Sequence, residues 1–213
     1  IAHEIRTPLT LIKAPMEKLM RNLTLSPQNE KYLMVMNKNT DRLMDLTNQL
    51  LDFRRVEAGS FVLTLEEKNI NNFIKSIWTN FYPLAENKKI KLELVEEQIF
   101  HCKIDEEATT KIVSNLLDNA IKYCKGFIEL AIVKRQKGFV SIVISNDGPL
   151  IADDVKEKIF QPFFRSKQTD KITGTGIGLP LARSLTELQG GSLGVYAANN
   201  LNNFELKLPL EEK

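Results

Sequence analysis

Near Gly59 the apolar residues change their spacing, and that change divides the chain into two kinds of structure. Before it, Ile1, Ile5, Leu9, Ile12, Met16, Leu19 and Leu23 recur in steps of three and four, which lines one side of a helix. The segment Thr24-Leu25-Ser26-Pro27 interrupts the run, and Pro27 after Ser26 suits the first turn of a second helix. A second stripe follows at Leu33, Met36, Leu43, Leu46, Leu50 and Phe53. Two such helices joined by a short turn form an antiparallel hairpin. A lone hairpin cannot bury both stripes, so pairing with a second copy into a four-helix bundle is the economical solution.

After Val56-Glu57-Ala58-Gly59, short segments alternate apolar with polar residues, as half-buried strands do. They run over 61–65, 91–95, 127–133, 140–144, 193–196 and 204–208, with helical patterns over 70–87, 106–123 and 178–188. Several strands follow one another with no helix between, which disfavours a purely parallel doubly wound sheet. The expectation is an α+β chain. A hairpin over residues 1–57 forms a dimeric four-helix bundle. An α/β sandwich over 58–213 carries a mixed sheet covered by helices on one face.

Composition narrows the partners. Of 213 residues, 43% are hydrophobic, enough for a sizeable core. The 29 Lys and Arg nearly balance the 27 Asp and Glu, a net charge of +2 that gives no support for a nucleic-acid surface. Cys102 and Cys124 show neither metal spacing nor a disulfide framework, consistent with a reducing compartment. No apolar run reaches the roughly 20 residues of a spanning helix. The chain begins at Ile1, without Met and inside a helical pattern, and is expected to be a piece of a longer protein.

Five short segments carry chemistry. In His3-Glu4-Ile5-Arg6-Thr7-Pro8-Leu9, each residue turns by about 100° on a helix, so His3 points away from the Ile1–Ile5 stripe. Thr7 lies one turn on along the same face, and Glu4 is close enough to hold an imidazole tautomer or take its proton. A neutral imidazole is a competent nucleophile near its ordinary pKa of about 6.5. Pro8 and Pro15 fall inside the helical run, where proline removes a backbone bond and favours a kink.

The other four segments read together as a nucleotide pocket. In Asn115-Leu116-Leu117-Asp118-Asn119, the two asparagines are four apart on one helix face, where amide oxygens suit a hydrated Mg²⁺ held mainly by phosphates. Lys122 adds a charge for phosphate, and Tyr123 could line the base. Asn146-Asp147-Gly148 follows an apolar strand and can meet a base edge. Phe160, Phe163 and Phe164 around Pro162 look like a hydrophobic anchor. The polar stretch from Arg165 to Thr175 is the candidate mobile loop. In Gly174-Thr175-Gly176-Ile177-Gly178-Leu179, backbone N–H groups ahead of a helix would cradle phosphates. The G-x-G-x-G spacing after a polar loop fits neither a Rossmann turn nor a P-loop.

These segments, in this order, resemble the catalytic core of a sensor histidine kinase of two-component signalling, over essentially the whole chain. The resemblance implies a dimerisation and histidine-phosphotransfer hairpin followed by a Bergerat-type ATP-binding domain. His3 would accept the γ-phosphoryl group of ATP, Glu4 would act as general base, and Thr7 would position water for dephosphorylation of the partner. Asn119 would bind Mg²⁺ with help from Asn115. The nucleotide would also meet Lys122, Tyr123, Asn146, Asp147, Gly148, Ile151, Phe164 and Arg165, with Gly174, Thr175, Gly176, Ile177, Gly178 and Leu179 at the phosphate end. The implied partners are a second copy of the chain and a response-regulator receiver domain, with Thr10, Ala14 and Pro15 on the docking surface. The implied location is cytoplasmic, with any anchoring in the inner membrane supplied by other parts of the parent. The style of Leu11-Ile12-Lys13-Ala14-Pro15 also resembles hybrid sensors of Bacteroidetes.

Two departures stand out. The family's adenine-reading turn runs Asp-x-Gly-x-Gly, whereas Asn146 takes the Asp place here and Leu150 the second Gly place. An asparagine oxygen can still accept from an adenine amine, and either Asn146 or Asp147 can make that contact. The family's glycine before the last strand is also missing, with Asn202-Asn203 there instead. Two other readings are a degenerate kinase that acts only through Thr7 as a phosphatase, and an ATP-driven clamp like the gyrase-type relatives. The clamp class carries a glutamate where Asn115 stands, and asparagine is a poor base.

Overall fold

A computed structural model of the chain describes residues 2–22, 26–165 and 175–210, with side chains from Leu9 onward in the first helix up to Met20. The chain separates into two compact units, Ile1–Ala58 and Gly59–Lys213.

The first unit is the expected hairpin. Helix α1, Ala2–Asn22, runs without interruption through Pro8 and Pro15. Helix α2, Pro27–Glu57, starts where Ser26 caps it, the hydroxyl accepting from the Asn29 N–H, with Pro27 in the first turn. Arg54 and Arg55 sit in its last turn, where cations suit the helix dipole. Met16, Thr40 and Phe53 are buried, and Lys13 of α1 pairs with Asp41 of α2. Much of the two apolar stripes stays open in the single chain: Ile12 is 50% exposed and Leu43 51%.

The second unit is built on a mixed five-stranded sheet in the order β2-β4-β5-β7-β6. The strands are β2 Lys91–Glu96, β4 Phe127–Gln136, β5 Phe139–Asn146, β6 Ser192–Ala198 and β7 Leu201–Pro209. Among the described residues, only β2 and β4 are parallel; the other pairs of this sheet are antiparallel. A two-stranded antiparallel ribbon joins β1 Glu66–Asn69 to β3 His101–Ile104. The helices are α3 Ile70–Thr79, α4 Tyr82–Asn87, α5 Glu106–Tyr123 and α6 Gly178–Leu188. One face of the sheet, carrying Ile128, Leu130, Ile132, Ile142, Ile144 and Leu206, is fully buried together with Ile112, Leu116 and Leu117 of α5 and Leu185 of α6.

Three sequence expectations need correction here. Residues 61–65 form no strand, because the Thr64 N–H donates to the Asp105 carboxylate (2.7 Å) instead of joining a ladder; β1 begins at Glu66. The helical pattern over 70–87 is two helices, broken at Asn80 and Phe81, with Pro83 in the first turn of α4. Strand β3 was not among the expected segments. Among the described residues, no helix is long and apolar enough to cross a membrane.

Candidate nucleotide site

Helix α5 is the frame of the site. Asp105 caps it, Oδ1 accepting from the Ala108 N–H (2.8 Å) while Oδ2 holds Thr64. Glu106 and Glu107 in its first turn and Lys122 in its last match the helix dipole. Ile112, Val113, Leu116, Leu117, Ala120 and Ile121 are buried along one side. Each large apolar side chain contributes about 1.5–3 kcal/mol on burial, which fixes the helix rotation. That rotation leaves Asn115 and Asn119 half-buried on another face. Neither amide makes a hydrogen bond among the described residues.

Two turns close on this helix. At the start of α6, a Cβ placed on Gly178 would lie 2.7 Å from the Asn115 Oδ1, so the amide and the first turn of α6 are in direct contact. At the other end, a Cβ on Gly148 would lie 2.4 Å from the Tyr123 carbonyl oxygen, so only glycine lets the 146–148 turn reach the end of α5. The end of β5 and the start of α6 therefore meet α5 about two turns apart.

Within the first turn the two candidate base readers are in different environments. Asn146 is 2% exposed and its Oδ1 accepts from the Gly148 N–H at 3.1 Å. The Asp147 Oδ1 accepts from three backbone N–H groups, those of Lys125, Gly126 and Phe127, at 2.8, 3.1 and 3.1 Å. Burial alone would push the Asp147 carboxyl up, but the N–H groups of Gly126, Phe127 and Lys125 outweigh it and hold it below the ordinary carboxylate value. Asp147 thus ties the α5–β4 connection to the end of β5. Ile151 is half-buried, and its N–H donates to the Asn202 Oδ1.

The Phe163 N–H donates to the Gly176 carbonyl at 2.8 Å. Phe160 is buried, with the Arg183 guanidinium 4.7 Å from its ring centre, and Phe164 is half-buried. Phe163 does not join them as an anchor: it has a positive φ of 64° and is 64% exposed. The Thr175 hydroxyl accepts from the Ile177 N–H, Ile177 is buried, and Leu179 is half-buried in the first turn of α6. Lys122 and Arg165 are exposed, and Tyr123 is half-buried. Gly174 and the polar stretch 166–174 lie outside the described residues. So do the side chains of His3, Glu4 and Thr7, whose backbone belongs to α1.

An amide-bearing helix, a strand-end turn and a glycine turn opening a further helix, all on one face of a mixed sheet, define a nucleotide-binding α/β sandwich. Known proteins place it more closely. Residues 104–212 match the family model of histidine kinase-, DNA gyrase B- and HSP90-like ATPases, and residues 1–59 match the His Kinase A phospho-acceptor domain. Histidine kinase P4 of Formosa agariphila is 33% identical over 219 residues, covering 99% of this chain and 16% of that protein. Hybrid signal transduction histidine kinase D of Dictyostelium discoideum is 30% identical over 220 residues, covering 99% and 14%. The crystal structure of full-length ShkA in complex with AMPPNP superposes with a TM-score of 0.85 at 25% identity, over 98% of this chain and 44% of that one. The chain belongs to the histidine kinase family, as the phospho-acceptor and ATPase core of a sensor histidine kinase. It spans about a sixth of the length of these two relatives.

Proposed function

We propose that the chain autophosphorylates His3 from ATP and passes the phosphoryl group to an aspartate of a response-regulator receiver domain. The observation that carries this reading is the meeting of two turns on α5, at Asn115–Gly178 and Tyr123–Gly148. One helix thereby sets the spacing between a base end and a phosphate end.

At the base end, Asn146 rather than Asp147 meets adenine, because Asn146 lies on the helix-covered face of the sheet, opposite Ile128 and Asn202, whereas Asp147 is turned to the backbone of 125–127. Ile151 and Tyr123 border that end. At the phosphate end, the N–H groups at the start of α6 face the triphosphate with Thr175, Gly176 and Leu179, while Lys122 supplies charge. Phe164, Arg165 and Gly174 complete the nucleotide contacts.

The residues present fit Mg²⁺ held mainly by phosphate. Asn115 and Asn119 offer unpaired amide oxygens on one face, and no acidic or histidine cluster among the described residues forms a cage of its own. When bound, Mg²⁺ neutralises charge on the phosphates.

In the reaction, a ring nitrogen of His3 attacks the γ-phosphorus, the bond to the β–γ bridging oxygen breaks, and ADP leaves. Glu4 takes the proton from the other ring nitrogen, which leaves the imidazole ring uncharged and the phosphoryl oxygens of the phosphoramidate anionic. Thr7 orients water when the phosphorylated regulator is hydrolysed. The hairpin pairs with a second copy through its open stripes. Cytoplasmic placement with a membrane anchor elsewhere in the parent completes the reading.

The test is His3→Gln incubated with γ-labelled ATP. Acid-labile labelling of the chain is expected to disappear while ADP binding measured by calorimetry stays within about twofold of the parent. Labelling that persists removes His3 as the acceptor.

A further inference from the structure

Asn202, the second residue of β7, lies directly opposite Asn146 on β5. Side chains alternate along a strand, and Phe204, Leu206 and Leu208 are core residues. Asn202 therefore shares the helix-covered face with Asn146. It is 3% exposed, and its amide is engaged entirely with the turn beyond Asn146. Its Oδ1 accepts from the Ile151 N–H at 2.9 Å, and its Nδ2 donates to the Pro149 carbonyl at 3.0 Å and, more weakly, to the Gly148 carbonyl at 3.5 Å.

One side chain thus holds three backbone groups of residues 148–151. The same turn contains Leu150, 48% exposed, where the family pattern has its second glycine. Gly148 in turn donates to the Asn146 Oδ1, so the hold reaches the Asn146 amide through one peptide unit. The adjacent Asn203 does something different. It faces the opposite side of the sheet, accepts from the Ser145 hydroxyl and donates to the Leu201, Tyr196 and Ala198 carbonyls, which closes the β6–β7 hairpin.

We propose that Asn202 is a positioning residue for base recognition: by clamping residues 148–151 it fixes the Asn146 amide, so that preference for adenine depends on a side chain that need not touch the nucleotide. This rests on the ATP-site reading above. The phosphate end is built on other elements, α6 and the middle of α5, so the effect of Asn202 falls on the base alone.

The experiment is calorimetric titration of ADP and of GDP, with Mg²⁺, into the full chain and into Asn202→Ala, Asn202→Ser and Asn203→Ala, alongside thermal melts. Each Asn202 variant is expected to bind ADP about tenfold more weakly, as loss of well-placed hydrogen bonds implies. GDP binding should change less than about twofold, so the ADP-over-GDP preference drops about tenfold. Asn203→Ala should lower the melting temperature and leave the preference unchanged, which separates positioning from general support of the sheet. The serine variant keeps one hydrogen-bonding group and gives the same readout if the alanine variant does not fold. An unaltered ADP-over-GDP ratio in both Asn202 variants overturns this proposal alone. Failure of the unsubstituted chain to bind either nucleotide overturns the ATP-site reading and this proposal with it.

Discussion

Asn146 and Asp147 are neighbours in the chain with different surroundings, and the difference comes from which backbone donors each one faces. Asp147 meets three N–H groups of the α5–β4 connection. Replacing it with alanine leaves those donors without their partner and is expected to cost about 1–3 kcal/mol; asparagine, which keeps one acceptor oxygen, should cost less. Chemical denaturation of the three proteins measures both. The pH dependence has a defined sign. The folded Asp147 carboxyl is more acidic than its ordinary value. Its contribution is therefore complete above an ordinary aspartate pKa of about 4 and is lost as pH falls through the lower folded value. Asp147→Asn should show a flatter fall of stability below about pH 4 than the parent. An identical slope would show that these N–H groups do not hold the charge. None of this was legible in the sequence. Asn146 and Asp147 both carry acceptor oxygens, and the donors that distinguish them sit about twenty positions earlier in the chain.

Among elements, α5 was the most legible. Its apolar residues recur with helical period, its first turn is acidic and its last turn carries Lys122, and the expected span of 106–123 is the observed one. Helix α6 was likewise read to the residue. What periodicity could not supply was contact between them, because packing of Gly178 on Asn115 is long-range. The expected consequence is sharp. Gly178→Ala would set a methyl group 2.7 Å from the Asn115 Oδ1, forcing that amide to move. Nucleotide affinity should fall about tenfold, with a melting temperature within a few degrees of the parent. Unchanged calorimetric affinity would mean the amide is not part of the site. The strands that sequence misplaced are the short ones. Residues 61–65 alternate like a strand, but Thr64 donates its N–H to a helix cap. The real β1 is Glu66-Glu67-Lys68-Asn69, polar throughout, and its partner β3 alternates over only four residues, with Cys102 and Ile104 buried, too short a run to stand out.

For the whole molecule, the two-part organisation was visible from the change of period near Gly59, and the observed units divide at Ala58. The hairpin's incomplete burial is the physical reason to expect a dimer. Ile12, Leu19, Met36 and Leu43 lie on the apolar stripes and stay exposed in one copy. Exposed large apolar side chains repeated along both stripes mark an interaction surface. Leu43→Glu should therefore weaken self-association at least about 100-fold, since a fully buried leucine is worth about 1.5–3 kcal/mol in each protomer. Sedimentation equilibrium would read this directly, and a parent chain that is monomeric at high concentration would contradict the dimer.

The most direct measurement is the chemical identity of the linkage formed when the chain is incubated with Mg²⁺ and ATP, read by phosphorus NMR and by mass mapping of the modified peptide. The expected result is a phosphoramidate, labile in acid and stable in base, on the peptide that contains His3. Release of inorganic phosphate with no modified chain, or a phosphate ester on a serine or threonine, would contradict the histidine kinase reading.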